Sequence, residues 1–185
     1  ALRFGCGHAR GEFIARLDSG DVMCPTRLAK QFKAFTDNQN VVLVTSHVEV
    51  CGPKWEPLWI NRGDDVNDAT PRKVNMHSAS NGLSMDIPHH ASVMFLRSVY
   101  QTVGGYRSAF YFCQDWDLWY RLATQGSFVH FPEVLTRTRL FPEGLSSRHW
   151  REQKTLEKLS LACYVARCEG QAEISYLHKA ASIRP

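Results

Sequence analysis

The chain has 185 residues, of which 44% are hydrophobic and 22% charged, and a formal net charge of +4. This composition is typical of a globular domain that buries a core, and the basic residues are too dispersed to favour nucleic acid as the main ligand. The mild positive charge suits a phosphate-bearing small molecule or an acidic surface. No stretch approaches the roughly 18 apolar residues of a membrane helix, and no signal peptide is recognisable. We therefore expect one domain over residues 1–185, located in the cytoplasm.

The cysteines are scattered and form no C-x-x-C pair. Most of them lie within apolar runs, which favours free buried thiols in a reducing compartment over a disulfide framework. A zinc site built on Cys6 and His8 is an alternative interpretation. The six cysteines are Cys6, Cys24, Cys51, Cys113, Cys163 and Cys168.

The first half of the chain alternates between strand and helix patterns. Residues 1–10 show no clear element, whereas the apolar run over residues 13–17 predicts a buried strand. Leu28, Phe32 and Phe35 follow at helical spacing, which predicts a helix of about three turns. The β-branched run over residues 41–50 predicts the next strand.

The second half continues this alternation after residues 52–90, which contain four prolines and predict a long loop with one short helix at most. A strand, a helical turn and the pair Gly104–Gly105 follow, and then a buried helix that Gly126 would cap. Residues 127–141 predict a strand pair or one bent strand. Residues 146–170 predict an amphipathic helix with Ser146 or Ser147 as N-cap and Gly170 as its stop. The order of elements predicts an α/β fold with a mostly parallel sheet flanked by helices.

Asp18 and Asp21 come directly after the first predicted strand. Ligands of such sheets gather beyond the carboxyl ends of the strands, and two carboxylates on one turn can face a single divalent cation. Mg²⁺ and Mn²⁺ commonly take only one or two protein carboxylates, and water and phosphate oxygens complete the shell. The alternative is a plain turn, because Asp, Ser and Gly all favour turns.

A second acidic group, Asp115, lies at the start of the predicted buried helix in the stretch QDWDLW. It could cap the helix by accepting backbone hydrogen bonds, or it could act as a general base toward a substrate hydroxyl. The neighbouring Trp116 and Trp119 suit either the core or a stacking surface for a sugar.

Three stretches, GEFIARLDSGDVMCPTRLAKQ, HHASVMFLRSVYQTVGGYR and FCQDWDLWYRLATQG, resemble successive blocks of bacterial family 2 glycosyltransferases. These enzymes show a strand ending in D-x-D-D, a helix with P-x-R-L and Q, a G-G-Y turn and an E-D-x-D-L-x-x-R-L helix. The resemblance covers roughly residues 9–151. It implies a partial GT-A (Rossmann-like) fold and the transfer of a sugar, with inversion, from a nucleotide-sugar donor to a hydroxyl of a glycan or lipid-linked saccharide.

The resemblance also implies roles for individual residues. Asp18 and Asp21 would bind a divalent metal, Mn²⁺ or Mg²⁺, on the diphosphate of the donor. Asp115 would be the catalytic base, and Arg139 would lie near the donor phosphates. The residues expected on the acceptor side are His90, Ser92 and Trp116.

The sequence departs from the family pattern at Gly20, where a metal-binding acid is common, at Gln114, which replaces a glutamate, and at Phe141, where some members have a histidine. The N-terminal nucleotide-binding strands of the family would precede Ala1, so we expect a truncated domain. A sheet with such an open edge favours a homodimer through that edge. These departures leave open a non-catalytic remnant or interaction module as the alternative, with a metal-dependent phosphohydrolase as a third.

Overall fold

The computed structural model describes residues 1–62, 72–74, 87–141, 143–144 and 148–184. Its helices are α1 (Leu2–His8), α2 (Arg27–Asp37), α3 (Arg97–Thr102), α4 (Gln114–Leu122), α5 (Trp150–Cys168) and α6 (Ile174–Ser182). Its strands are β1 (Phe13–Ala15), β2 (Val22–Met23), β3 (Val41–Cys51), β4 (Pro57–Asn61), β5 (Arg72–Val74), β6 (Met94–Leu96) and β7 (Ser127–Arg139).

The strands form one sheet with helices packed against it, so the predicted α/β class is confirmed. The main path of the sheet is β1-β6-β3-β7-β2, and β4 and β5 pair with β3 and β7 respectively. The expectation of a mostly parallel sheet is wrong, because among the described strands β3 and β7 alone pair in parallel. The other strand pairs are antiparallel, which gives a mixed sheet.

The central strand β3 is buried over almost its whole length. Its β-branched side chains suit a strand that is covered on both faces. On one face, Leu43 packs with Phe95 of β6 and with Leu118 and Trp119 of α4. The predicted burial of α4 is confirmed, since six of its nine residues are buried.

Several expectations about individual elements are corrected. Residues 1–10, for which no element was expected, contain α1, and the expected loop over residues 52–90 contains β4 and β5. The strand expected to reach residue 17 ends at Ala15. Helix α5 covers most of residues 146–170, and Ser146 and Ser147, its expected N-caps, lie outside the described residues. Helix α6 was not expected.

Gly126 does not cap α4, because this helix ends at Leu122. It instead lets two chain segments approach closely. A Cβ atom at this position would lie 2.5 Å from Cγ1 of Val42 and 2.6 Å from the carbonyl oxygen of Asn40. Packing against β3 therefore explains this glycine.

All six cysteines are free, and three of them, Cys51, Cys113 and Cys163, are buried. The expectation of free thiols is thus confirmed, although Cys168 is exposed. Among the described helices, none combines the length and the apolar character that a membrane crossing requires.

A buried ion network joins α4 to the C-terminal helices. Asp117 is 1% exposed and accepts hydrogen bonds from the guanidinium groups of Arg107 and Arg121. Arg107 also pairs with Glu173 at 2.7 Å, just before α6, and Arg167 of α5 pairs with the same carboxylate at 2.7 Å. Burial would raise the pKa of Glu173, but the two arginines lower it below its ordinary value. The second acid of the QDWDLW stretch is therefore a structural residue.

We predict that Asp117→Asn lowers the free energy of unfolding by about 3–5 kcal/mol, because it leaves the buried Arg121 without its countercharge and removes one of the two partners of Arg107. Urea denaturation monitored by circular dichroism measures this change. Glu143→Gln is the matched control, since it removes an exposed ion pair with Arg148 and should cost less than about 1 kcal/mol. Equal losses in the two variants would contradict the structural role of Asp117.

Candidate active site

The two acids that follow β1 lie on one tight turn. The backbone N–H of Asp21 donates to the carbonyl oxygen of Asp18 at 3.1 Å. Gly20 has a φ of 88°, a left-handed conformation that a glycine adopts without strain. The turn connects β1 to β2, which pairs with β7. Both carboxylates therefore belong to the same end of the sheet, as the sequence predicts.

Each carboxylate on this turn faces a positive or hydrogen-bond-donating group. The guanidinium of Arg16 forms a two-pronged ion pair with Asp18, in which Nη1 lies 2.8 Å from Oδ2. The side chain of Arg16 is 11% exposed, whereas that of Asp18 is 51% exposed. Asp21 accepts a hydrogen bond at 3.3 Å from the backbone N–H of Arg139. The two acids thus form a turn, and this turn does not prevent their carboxylates from also binding a cation.

The pKa of Asp21 is raised above its ordinary value, chiefly by burial. The hydrogen bond from Arg139 opposes this shift, and the negative charge of Asp18 adds to it. The positive charges of Arg16 and Arg139 lower the pKa again in part. Two carboxylates that repel each other on one turn attract a cation, because a bound cation offsets their repulsion.

Arg139 lies at the end of β7, and the structure brings it to the acidic turn. It is paired in register with Cys51 of β3. Its Nη2 atom lies 3.2 Å from the point where a Cβ atom on Gly20 would stand. A guanidinium and two carboxylates therefore share this corner of the molecule.

Asp115 lies in the first turn of α4. Burial raises the pKa of this carboxyl group to about 6, while backbone hydrogen bonds from Trp116 and Asp115 and the charge of Arg16 limit the shift. Its side chain is 23% exposed, so one edge stays accessible. A carboxylate with a pKa near 6 is suited to accept a proton at neutral pH.

His90 stands beside Asp115. Its Nδ1 atom lies 3.9 Å from Oδ2 of Asp115, and its Nε2 atom lies 2.9 Å from the hydroxyl oxygen of Tyr106. Burial lowers the pKa of His90 well below its ordinary value, and the charges of Arg16 and His89 add to this effect. The imidazole is therefore neutral at pH 7 and leaves the carboxylate of Asp115 without a full countercharge.

Ser92 and Trp116, also expected on the acceptor side, have different surroundings. Ser92 is fully buried, and its hydroxyl oxygen lies 2.7 Å from that of Thr45 and 2.9 Å from the carbonyl oxygen of His89. Its side chain stabilises the segment that carries His90 and does not reach the surface. Trp116 is half-buried and packs against two core clusters.

Arg16 was missed by the sequence reasoning. Its guanidinium pairs with Asp18, and its backbone N–H donates to the carbonyl oxygen of Val93 at 2.9 Å. Its charge affects the pKa of Asp21, of His90 and of Asp115. A basic residue two positions before an acid at a strand end could have indicated this contact. Tyr106, directly after the glycine pair, was missed because nothing local links it to His90.

The described residues contain no group of three or more His, Cys, Asp or Glu side chains arranged to hold a metal ion. This applies to Cys6 and His8, so nothing supports the zinc alternative. Asp18 and Asp21 supply two carboxylates, which fits a Mg²⁺ or Mn²⁺ ion that takes its other ligands from water and phosphate. The ion pair between Asp18 and Arg16 would have to rearrange for such binding.

Comparison with known proteins places this chain among glycosyltransferases by sequence. The sequence model of Glycosyl transferase family 2 matches residues 1–104. An uncharacterized glycosyltransferase of Methanocaldococcus jannaschii is 27% identical over 134 residues, which are 71% of this chain and 43% of the relative. One from Haemophilus influenzae is 22% identical over 160 residues, which are 85% of this chain and 49% of the relative. The chain spans less than half the length of these curated relatives.

Solved structures show the same fold. A mannosyltransferase from Pyrobaculum calidifontis, in complex with GDP-Man and Mn²⁺, has a TM-score of 0.56 at 17% identity, over 99% of this chain and 48% of the other. GalNAc-T7, solved with UDP, GalNAc and Mn²⁺, has a TM-score of 0.58 at 13% identity, over 97% of this chain and 39% of the other. The expected GT-A fold is confirmed. Since the family match covers more than half of the residues, this chain belongs to glycosyl transferase family 2.

Proposed function

We propose that the protein transfers a sugar from a nucleotide-sugar donor to a hydroxyl group of a glycan or a lipid-linked saccharide, with inversion at the anomeric carbon. The observation that carries this proposal is the common neighbourhood of the acidic turn and the His90–Asp115 pair. The backbone N–H of Arg16 donates to the carbonyl oxygen of Val93 at 2.9 Å, so the chain just before the acidic turn runs beside the segment that follows His90. The charge of Arg16 affects the pKa of Asp21 and of Asp115. A single displacement requires a site for the donor and a proton acceptor close to each other.

The donor side consists of Asp18, Asp21 and Arg139. The two carboxylates would hold a divalent cation, Mn²⁺ or Mg²⁺, and the guanidinium would contact the phosphates. Such a cation neutralises the charge that develops on the diphosphate as the sugar leaves. The Mn²⁺ complexes of the two structural neighbours support this assignment.

On the acceptor side, Asp115 would take the proton of the attacking hydroxyl group. The acceptor oxygen then forms a bond to the anomeric carbon while the bond from that carbon to the diphosphate oxygen breaks. Neutral His90, whose Nδ1 atom lies 3.9 Å from this carboxylate, would leave its charge in place, and Trp116 would border the acceptor. Ser92 contributes by holding the backbone of this segment.

The alternative is a non-catalytic module that retains the fold. Gly20 in place of an acid and the ion pair between Asp18 and Arg16 favour it, because both reduce the charge available for a metal ion. A hydrolase would instead release phosphate from a nucleotide without an acceptor. The expected homodimer through the sheet edge stays a prediction, which sedimentation equilibrium would test.

We predict that Mn²⁺ together with UDP or GDP raises the melting temperature and that Asp18→Ala removes this effect. A ligand at about 100 times its Kd contributes about 2.7 kcal/mol, or roughly 5–10 °C for a chain of this size. Differential scanning fluorimetry measures the shift. Asp37→Ala, an exposed acid at the end of α2, is the control and should keep the shift.

An unchanged melting temperature of the unsubstituted protein with all common nucleoside diphosphates would favour the non-catalytic module. A shift that persists in Asp18→Ala would leave nucleotide binding intact but would remove Asp18 from the site.

We predict that Asp115→Asn lowers kcat by about 10²–10⁴-fold while the nucleotide-dependent melting shift is retained, because the amide cannot accept the proton. In the unsubstituted protein, kcat/KM should fall about tenfold per pH unit below about pH 6. The sign follows from the base, which works only when it is deprotonated and has a pKa of about 6. Donor turnover followed from pH 5 to pH 8 measures this limb, and a flat profile would argue against Asp115 as the base.

A further inference from the structure

The guanidinium of Arg139 lies between two aromatic rings. Its central carbon is 4.8 Å from the ring centroid of Trp55 and 5.2 Å from that of Phe141. The Nε atom is buried and has no hydrogen-bond partner among the described residues. By contrast, Arg137, which is 5.4 Å from the same Trp55 ring, forms an ion pair with Glu49. The guanidinium of Arg139 thus packs on two aromatic rings, and its Nε–H group has no acceptor among the described residues.

Trp55 reaches Arg139 because of the hairpin between β3 and β4. Gly52 donates to the carbonyl oxygen of Glu56 at 2.8 Å, and Trp55 donates to that of Gly52 at 3.0 Å. The carboxylate of Glu56 accepts a third bond, at 2.8 Å, from the backbone of Lys54. Trp55 itself has a φ of 66°, which is uncommon for a large side chain and is energetically unfavourable. Strain of this kind persists where surrounding contacts enforce it.

Gly20, on the acidic turn, leaves space for the guanidinium of Arg139. A Cβ atom at this position would stand 3.2 Å from Nη2 of Arg139, so a larger side chain would meet the guanidinium. A positive group therefore occupies the space beside Gly20 on the acidic turn.

We infer that Trp55 is a positioning residue that holds Arg139, in the space left by Gly20, as a fixed cation for the diphosphate of the donor. A guanidinium presents several N–H donors in a plane, a geometry that matches phosphate oxygens. Ordering the side chain before the ligand arrives lowers the entropy cost of binding. This inference rests on the proposed function, because it concerns the same donor site.

The test is titration calorimetry with inorganic pyrophosphate, UDP and GDP in the presence of EDTA. Trp55→Leu should weaken the binding of all three by about tenfold, which corresponds to about 1.4 kcal/mol. Trp55→Phe keeps an aromatic face and should restore most of the affinity. Trp59→Leu, an exposed tryptophan on the neighbouring β4, is the matched control and should bind like the unsubstituted protein. Weakening confined to UDP and GDP would overturn the inference, because it would assign Trp55 to the nucleoside.

A second pair of variants tests the role of Gly20. Gly20→Asp adds a carboxylate beside the guanidinium, whereas Gly20→Asn adds a side chain of nearly the same shape without charge. Both residues tolerate the left-handed conformation better than other side chains do. The aspartate should weaken pyrophosphate binding in EDTA at least tenfold more than the asparagine, and equal losses would overturn the inference.

A spectroscopic readout separates this inference from the proposed function. The Nε–H proton of Arg139, assigned by its loss in Arg139→Lys, should show a ring-current shift that disappears in Trp55→Leu and remains in Trp59→Leu. The inference is overturned if the Nε–H resonance of Arg139 is unchanged in Trp55→Leu. It is also overturned if the unsubstituted protein binds none of pyrophosphate, UDP and GDP in EDTA. In either case, a rise in melting temperature with Mn²⁺ and UDP or GDP would continue to support the proposed function.

Discussion

The guanidinium of Arg27 is the interaction on which the geometry of the site depends. It is fully buried on α2 and donates to the carbonyl oxygens of Arg16 at 2.8 Å, Ala91 at 2.9 Å and Val93 at 3.0 Å. The first of these carbonyls lies just before the acidic turn, and the other two lie on the segment that carries His90. One side chain thus fastens both halves of the candidate site to one helix. Burial and the charge of Arg16 lower the pKa of Arg27 to about 10, so it stays charged at neutral pH.

Gln31, one helical turn further along α2, completes this connection. Its side chain accepts from Arg27 at 3.0 Å and donates to the carbonyl oxygen of Ser92 at 2.7 Å. The P-x-R-L and Q pattern therefore has a physical meaning in this chain. A buried arginine bonded to carbonyl oxygens is costly to desolvate, and these bonds offset that cost only while the three segments stay together. These bonds therefore hold the acidic turn and the segment that carries His90 in a fixed relation to each other.

Asp115 and Asp117 show how neighbouring acids on one helix acquire different properties. Asp117 is buried and forms ion pairs with Arg107 and Arg121, so its role is structural. Asp115 instead lies beside a neutral histidine and stays partly accessible. Burial without a full countercharge raises the pKa of Asp115 toward neutrality, which is the state a general base needs. The same logic applies to the two arginines on β7. Arg137 forms an ion pair with Glu49, whereas Arg139 forms none with a carboxylate of the described residues and packs on the ring of Trp55.

The sequence by itself determined the local features: the buried strand β3, the helices α2 and α4, the acids at the end of β1 and the position of Asp115 in the first turn of a helix. Apolar periodicity and turn chemistry act within a few residues, so they can be recognised along the chain. Only the tertiary structure decided that the sheet is mixed, that Ser92 is buried, that Gly126 packs against Val42, and that Arg16 contacts both Asp18 and Val93. These features depend on which distant segments become neighbours. Long-range pairing is set by the whole core, and no local pattern encodes it.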